Sequence, residues 1–343
     1  MLGVGLELSG LDELMRDNLR VLAAVGVVAS AVVLGVWPRH SFPRLGGAWA
    51  TPLLIGAGVA LGHFALRDDA RTFPPIDASD WTPWVVAGGA LVGLVESLRA
   101  WSPRGRLLLR SGPCLALAWL ILRPVLHAYG TPQYGSWVPG TDTALLATLG
   151  AAALVLAFSW LVDGLQDPEP EDRWEAGLAP LTLLVLASLG SLAVGLGGSE
   201  SLALQGGLVV AVLAPLAGRG LLAPPGERPP ALLGPGATLP LTLAMLGTWL
   251  SARTYSELPA ASIGLLLAVP LVASLSRIEV LRTRRVAGLA LSVLAAALLA
   301  GGAAYLAFSR TPSVADLMGG GAADYADTVG GDQSADDYSD LGY

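Results

Sequence analysis

The chain has 343 residues, 53% hydrophobic and only 14% charged, with a mean hydropathy of +0.61 and a formal net charge of −7. Soluble domains carry about 25% charged residues, so the composition excludes an ordinary soluble fold and points to an all-α, polytopic transmembrane helical bundle. All 20 basic residues are arginine, which excludes a retinal or pyridoxal Schiff base and a P-loop, both of which need a lysine amine.

Residues 1–20 carry Glu7, Asp12, Glu13 and Asp17, where a secretory signal would be basic, and no A-x-A site follows. This segment reads as an N-terminal interfacial helix preceding a retained first span. Residues 21–309 form the transmembrane helical domain. A charge-poor run of about 18 or more residues can cross ~30 Å of hydrocarbon. Ten such spans are expected, over 21–37, 45–66, 81–98, 109–128, 143–162, 176–197, 201–218, 231–252, 258–276 and 286–308. Loops rich in Pro, Gly and charge separate them, such as "RDDARTFPPIDASD", "SPRGR" and "DPEPEDR". Only "GGSES" divides spans six and seven, so counts of nine or eleven stay open.

Seven tryptophans (37, 49, 81, 84, 101, 137 and 174) fall near span ends, as an interfacial belt requires. The pairs Gly58–Gly62 and Gly89–Gly93 permit close helix contact in a compact bundle. Cys114 is the single cysteine, so the chain has no internal disulfide and no iron–sulfur ligation. "APLTLLVLASLGS" (179–191) resembles "LPLTLAMLGTWLS" (239–251), which hints at a duplicated two-helix hairpin. The tail, 310–343, holds seven Asp after Arg310 and no further basic residue, so without residues 311–343 the chain is neutral. Its Gly, Asp, Ser and Ala cannot bury enough apolar surface to order it, and a disordered acidic tail is expected.

Orientation follows from arginine asymmetry. The odd-numbered connections hold thirteen arginines against six in the termini and even connections. That places the odd connections in the cytoplasm and both termini outside, in a plasma (inner) membrane. Arg123 lies inside span four, about 7.5 Å from its outer end, within reach of the interface by snorkelling. Glu96 lies near the inner face, roughly 18 Å away along the membrane normal. Its expected partners are Arg99, Arg104 or Arg106.

On the outer side, topology gathers His63, Arg123, His127 and Glu200 as a candidate ligand-binding cluster. The adjoining loops add Arg67, Asp68, Asp69, Arg71, Asp77, Asp80, Tyr129, Gln133, Tyr134, Ser199, Ser201, Gln205, Tyr255 and Glu257. Arginine and histidine beneath carboxylates and hydroxyls suit a small anionic or lipid-derived solute. Prolines 124, 180, 215, 240 and 270 break the spans in a way compatible with a permease-like protein. The alternative is a non-catalytic membrane scaffold or assembly component that meets a protein partner through the acidic tail. The remaining partner is the lipid bilayer; no basic patch suits nucleic acid. No HExxH or GxSxG motif occurs, which disfavours an enzyme, and neither a haem from His63 and His127 nor a metal at His63, Asp68 and Asp69 has supporting spacing. No cofactor is expected.

Overall fold

The structure, a computed structural model, describes residues 4–36, 49–67, 73–75, 77–128, 141–166, 173–222, 233–256, 258–275 and 285–310. Ten α-helices lie among them: α1 (Val4–Val36), α2 (Ala50–Leu66), α3 (Trp81–Leu98), α4 (Pro103–Ala128), α5 (Thr141–Gly164), α6 (Arg173–Leu196), α7 (Glu200–Leu221), α8 (Pro235–Tyr255), α9 (Ala260–Ser274) and α10 (Arg285–Phe308). A 3-10 turn, Ala78–Asp80, leads into α3. No strand occurs among the described residues. The expected acidic tail, 311–343, lies outside them, as do Asp68, Asp69, Arg71, Tyr129, Gln133, Tyr134, Glu257 and the side chain of His127.

The expectation of ten spans is corrected to six among the described residues. Only 78–98, 103–126, 143–164, 174–196, 200–221 and 286–308 are both long and apolar enough to cross a membrane. Helices α2 and α9 are apolar but have 17 and 15 residues, or roughly 25 and 22 Å at ~1.5 Å per residue, short of ~30 Å. Helix α1 is continuous through residue 20, and its first half carries six charged residues. Helix α8 has 21 residues, but its prolines, threonines and serine leave it less apolar than the six, and it is a central element. Every residue from Gly236 to Trp249 is buried, and α2, α3, α4, α5 and α7 surround it. A helix enclosed by protein need not be as apolar as one facing lipid, so α8 accommodates Thr238, Thr242, Thr248 and Ser251.

Small residues let the surrounding helices approach α8. Gly93 of α3 meets Gly236 of α8 backbone to backbone, and a Cβ on either would collide with the other's carbonyl. Around this contact the core is large and apolar, with Leu117, Ile121, Leu183 and Leu186 sealed from solvent and Phe158 edge-on to Trp249 at 5.8 Å. The five prolines expected to break spans sit inside continuous helices instead. Neighbouring elements re-satisfy the backbone freed by a buried proline. At Pro124, which removes the helical donor to Leu120, the Tyr255 hydroxyl donates to the adjacent Ile121 carbonyl at 2.5 Å. The duplicated hairpin does not extend to packing: α6 lies closely against α7, whereas α9 lies against α10.

Candidate functional site

Polar side chains collect at opposite ends of the bundle. At one end the α3–α4 connection reverses the chain, so Glu96 in the last turn of α3 faces the first turns of α4. Arg110 is wholly buried and donates through Nε and Nη2 to the two oxygens of Glu96, at 3.0 and 2.6 Å. Its Nη1 reaches across to α5, to Asp163 at 2.6 Å and Ser159 at 3.3 Å. Arg106 adds a longer contact to Glu96 at 3.6 Å. The expected partnership of Glu96 with a loop arginine holds for Arg106, but the principal partner is Arg110. Reading the loop as a block of positive charge hid Arg110. The available signal was Glu96, Arg110 and Asp163 lying at the same end of three consecutive helices, where only mutual pairing lets them be buried.

At the other end α2 finishes beside the start of α3. His63 is 1% exposed and Asp80 3%, with His63 Nε2 and Asp80 Oδ1 3.2 Å apart. Arg67 donates to the same Asp80 oxygen at 2.9 Å and to Asp77 at 3.1 Å. Above this group opens a cleft of about 450 Å³, walled by Arg67, Asp77 and Ser79 on one side and by Ser199, Ser201 and Tyr255 on the other. Ser199 also caps α7, accepting from the Leu202 amide at 3.4 Å. Partial burial pushes the Tyr255 phenol up to about 12, which keeps it a donor to α4 well into alkaline pH.

Of the four residues expected to form the cluster, the three with described side chains do not line the cleft. His63 is buried behind the cleft, engaged with Asp80. Arg123 is exposed, and although its neighbour Pro124 lines the cleft, Arg123 does not. Glu200 is exposed in the first turn of α7 and also stands outside the lining. The His127 side chain is outside the described residues. The cleft instead belongs to the supporting residues: Arg67, Asp77, Ser199, Ser201 and Tyr255. Arg67 carries its only positive charge among the described lining residues, and two aspartates already hold it.

Compared with known proteins, the sequence matches no family model and no curated protein. Fold and composition define the class: among the described residues, an all-helical protein with six helices long and apolar enough to cross a membrane.

Proposed function

We propose that the chain is a permease-like, multi-pass membrane protein that admits a small polar solute through the cleft between Arg67 and Tyr255. The observation that carries this reading is the cleft itself: about 450 Å³ of hydroxyl-lined space at the end of an otherwise apolar bundle, a size suited to a small ligand. An anionic solute, the class Arg123 first suggested, would need a free guanidinium here. Arg67 is held by Asp77 and Asp80, so the reading moves from anionic to polar. The arginine asymmetry supports an orientation with the cleft outside and the Arg110 end in the cytoplasm. The alternative of a scaffold acting through its tail draws on residues outside the described ones.

The test is thermal unfolding of the full chain in lipid nanodiscs with a panel of neutral, anionic and cationic small solutes. A ligand that binds the folded state raises the melting temperature. The expected result is a concentration-dependent rise with at least one polar solute, lost when Ser201→Trp fills the cleft. A flux assay in proteoliposomes with that solute then separates transport from binding alone. No response to any solute, or a response that survives Ser201→Trp, overturns the reading.

A further inference from the structure

Besides Pro124 of α4, the cleft is lined from the end of α2, the turn before α3, the start of α7 and the end of α8, and four polar residues lie one turn deeper along these elements. His63 lies four residues before Arg67 on α2, and Thr82 four after Ala78 at the start of α3. Gln205 lies four after Ser201 on α7, and Ser251 four before Tyr255 on α8. Residues so spaced on α7 and α8 share a face, while Arg67 follows the end of α2 and Ala78 lies in the 3-10 turn before α3. In every case the step runs from the cleft toward the bundle interior, since α2 and α8 end at the cleft while α3 and α7 begin there. All four are buried, at 1, 2, 4 and 0% exposure respectively.

These four share a second property. His63 Nδ1, Thr82 Oγ1, both amide atoms of Gln205 and Ser251 Oγ are enclosed and have no hydrogen-bond partner among the described residues. Burial of such an atom without a partner is unfavourable, and native proteins rarely tolerate it outside functional sites. Thr82 faces α8 across Gly247, its hydroxyl 3.2 Å from where a Cβ would stand, and Gly247 is itself one turn from Ser251. Thr82 of α3 therefore packs against α8 one turn from Ser251.

We infer that these residues form an inner tier of the cleft, a subsite for a neutral solute with several hydroxyl or amide groups; this rests on the proposed solute-binding function. The chemistry selects that class. Thr82 and Ser251 each donate and accept, Gln205 offers a carbonyl and an amide, and His63, with Nε2 donating to Asp80, accepts at Nδ1. None of the four supplies a formal charge in that state, and the nearest cation, Arg67, is compensated by Asp77 and Asp80. A neutral polyol or amide satisfies mixed donors and acceptors without carrying an uncompensated charge into the bundle.

The experiment uses the full chain in nanodiscs, titrated with myo-inositol, sorbitol, glucose and acetamide, with succinate and choline as charged comparators. Wild type is compared with Thr82→Val, Gln205→Leu and Ser251→Ala. The expected result is stabilisation of wild type by a neutral solute, with the apparent Kd weakened about tenfold in each variant. Without solute, the same variants melt at or above the wild-type temperature, because each removes an unpartnered polar group. If the variants bind as wild type does, the cleft binds solute but the tier does not take part. If only a charged comparator binds, the solute class is wrong. Variants that melt lower without solute assign the tier a structural role instead. If wild type responds to nothing, the proposed function itself falls and the tier with it.

Discussion

At the Arg110 end all three nitrogens of a buried guanidinium meet oxygens, whereas at the cleft end four buried side chains keep atoms that meet none. Both regions place polar groups in an apolar bundle, where water cannot compensate them. The first is mostly closed by pairing: Glu96 gives Arg110 both oxygens and Asp163 gives one, and only the other Asp163 oxygen and Arg106 Nε there stay without a hydrogen-bond partner among the described residues. The second is anchored at its rim, by Asp80 between His63 and Arg67, and unsatisfied behind it. A satisfied cluster ties helices together; an unsatisfied one beside an opening has capacity for a ligand.

The sharpest way to break this contrast is at Arg110. Arg110→Leu leaves Glu96 and Asp163 facing each other in a buried setting, and stability should fall by about 3–5 kcal/mol, the cost of removing one partner from a buried ion pair. Thermal unfolding and folded yield measure it. Adding Glu96→Gln and Asp163→Asn to the same chain should recover part of the loss, and failure to recover would show that bulk rather than charge matters. Next in size is Gly93→Val, which drives a side chain into the Gly236 carbonyl and should cost about 1–3 kcal/mol by overpacking. It is read from the same melts. Asp80→Asn should lower the melting temperature by less and should weaken solute stabilisation, because the acceptor shared by Arg67 and His63 loses its negative charge; unchanged solute response would detach the rim from the site. Arg123→Leu should have the smallest effect, leaving both the melting temperature and the solute response within error.

Much of this arrangement was legible in the residues. Charge-poor runs overlap each of the ten helices among the described residues, although α1 begins at Val4 and not at 21, and following the chain through them put Arg67, Asp77, Ser199, Ser201 and Tyr255 at one end. The membrane-crossing count was not legible, because it depends on where each helix ends, and α2 and α9 stop at 17 and 15 residues. Helix α8 buries its threonines inside protein, a fact that only packing reveals. The prominence given to Arg123 came from its solitary charge within an apolar run. An exposed arginine and a sealed one read alike in sequence, and Arg110, only thirteen residues earlier, was the sealed one. The unpartnered atoms of Thr82, Gln205 and Ser251 were also beyond the sequence, since partnership depends on which neighbouring face each hydroxyl or amide meets.

Cysteine accessibility tests the contrast most directly and requires no knowledge of the solute. In a Cys114→Ala background, Ser201→Cys, Ser251→Cys and Ser159→Cys would be treated in membranes with a small, charged methanethiosulfonate reagent. The account predicts rapid modification at position 201, slower but measurable modification at 251 as the cleft admits the reagent, and none at 159 beside Arg110. Modification at 159 as fast as at 251, or complete protection of both 201 and 251, would contradict it.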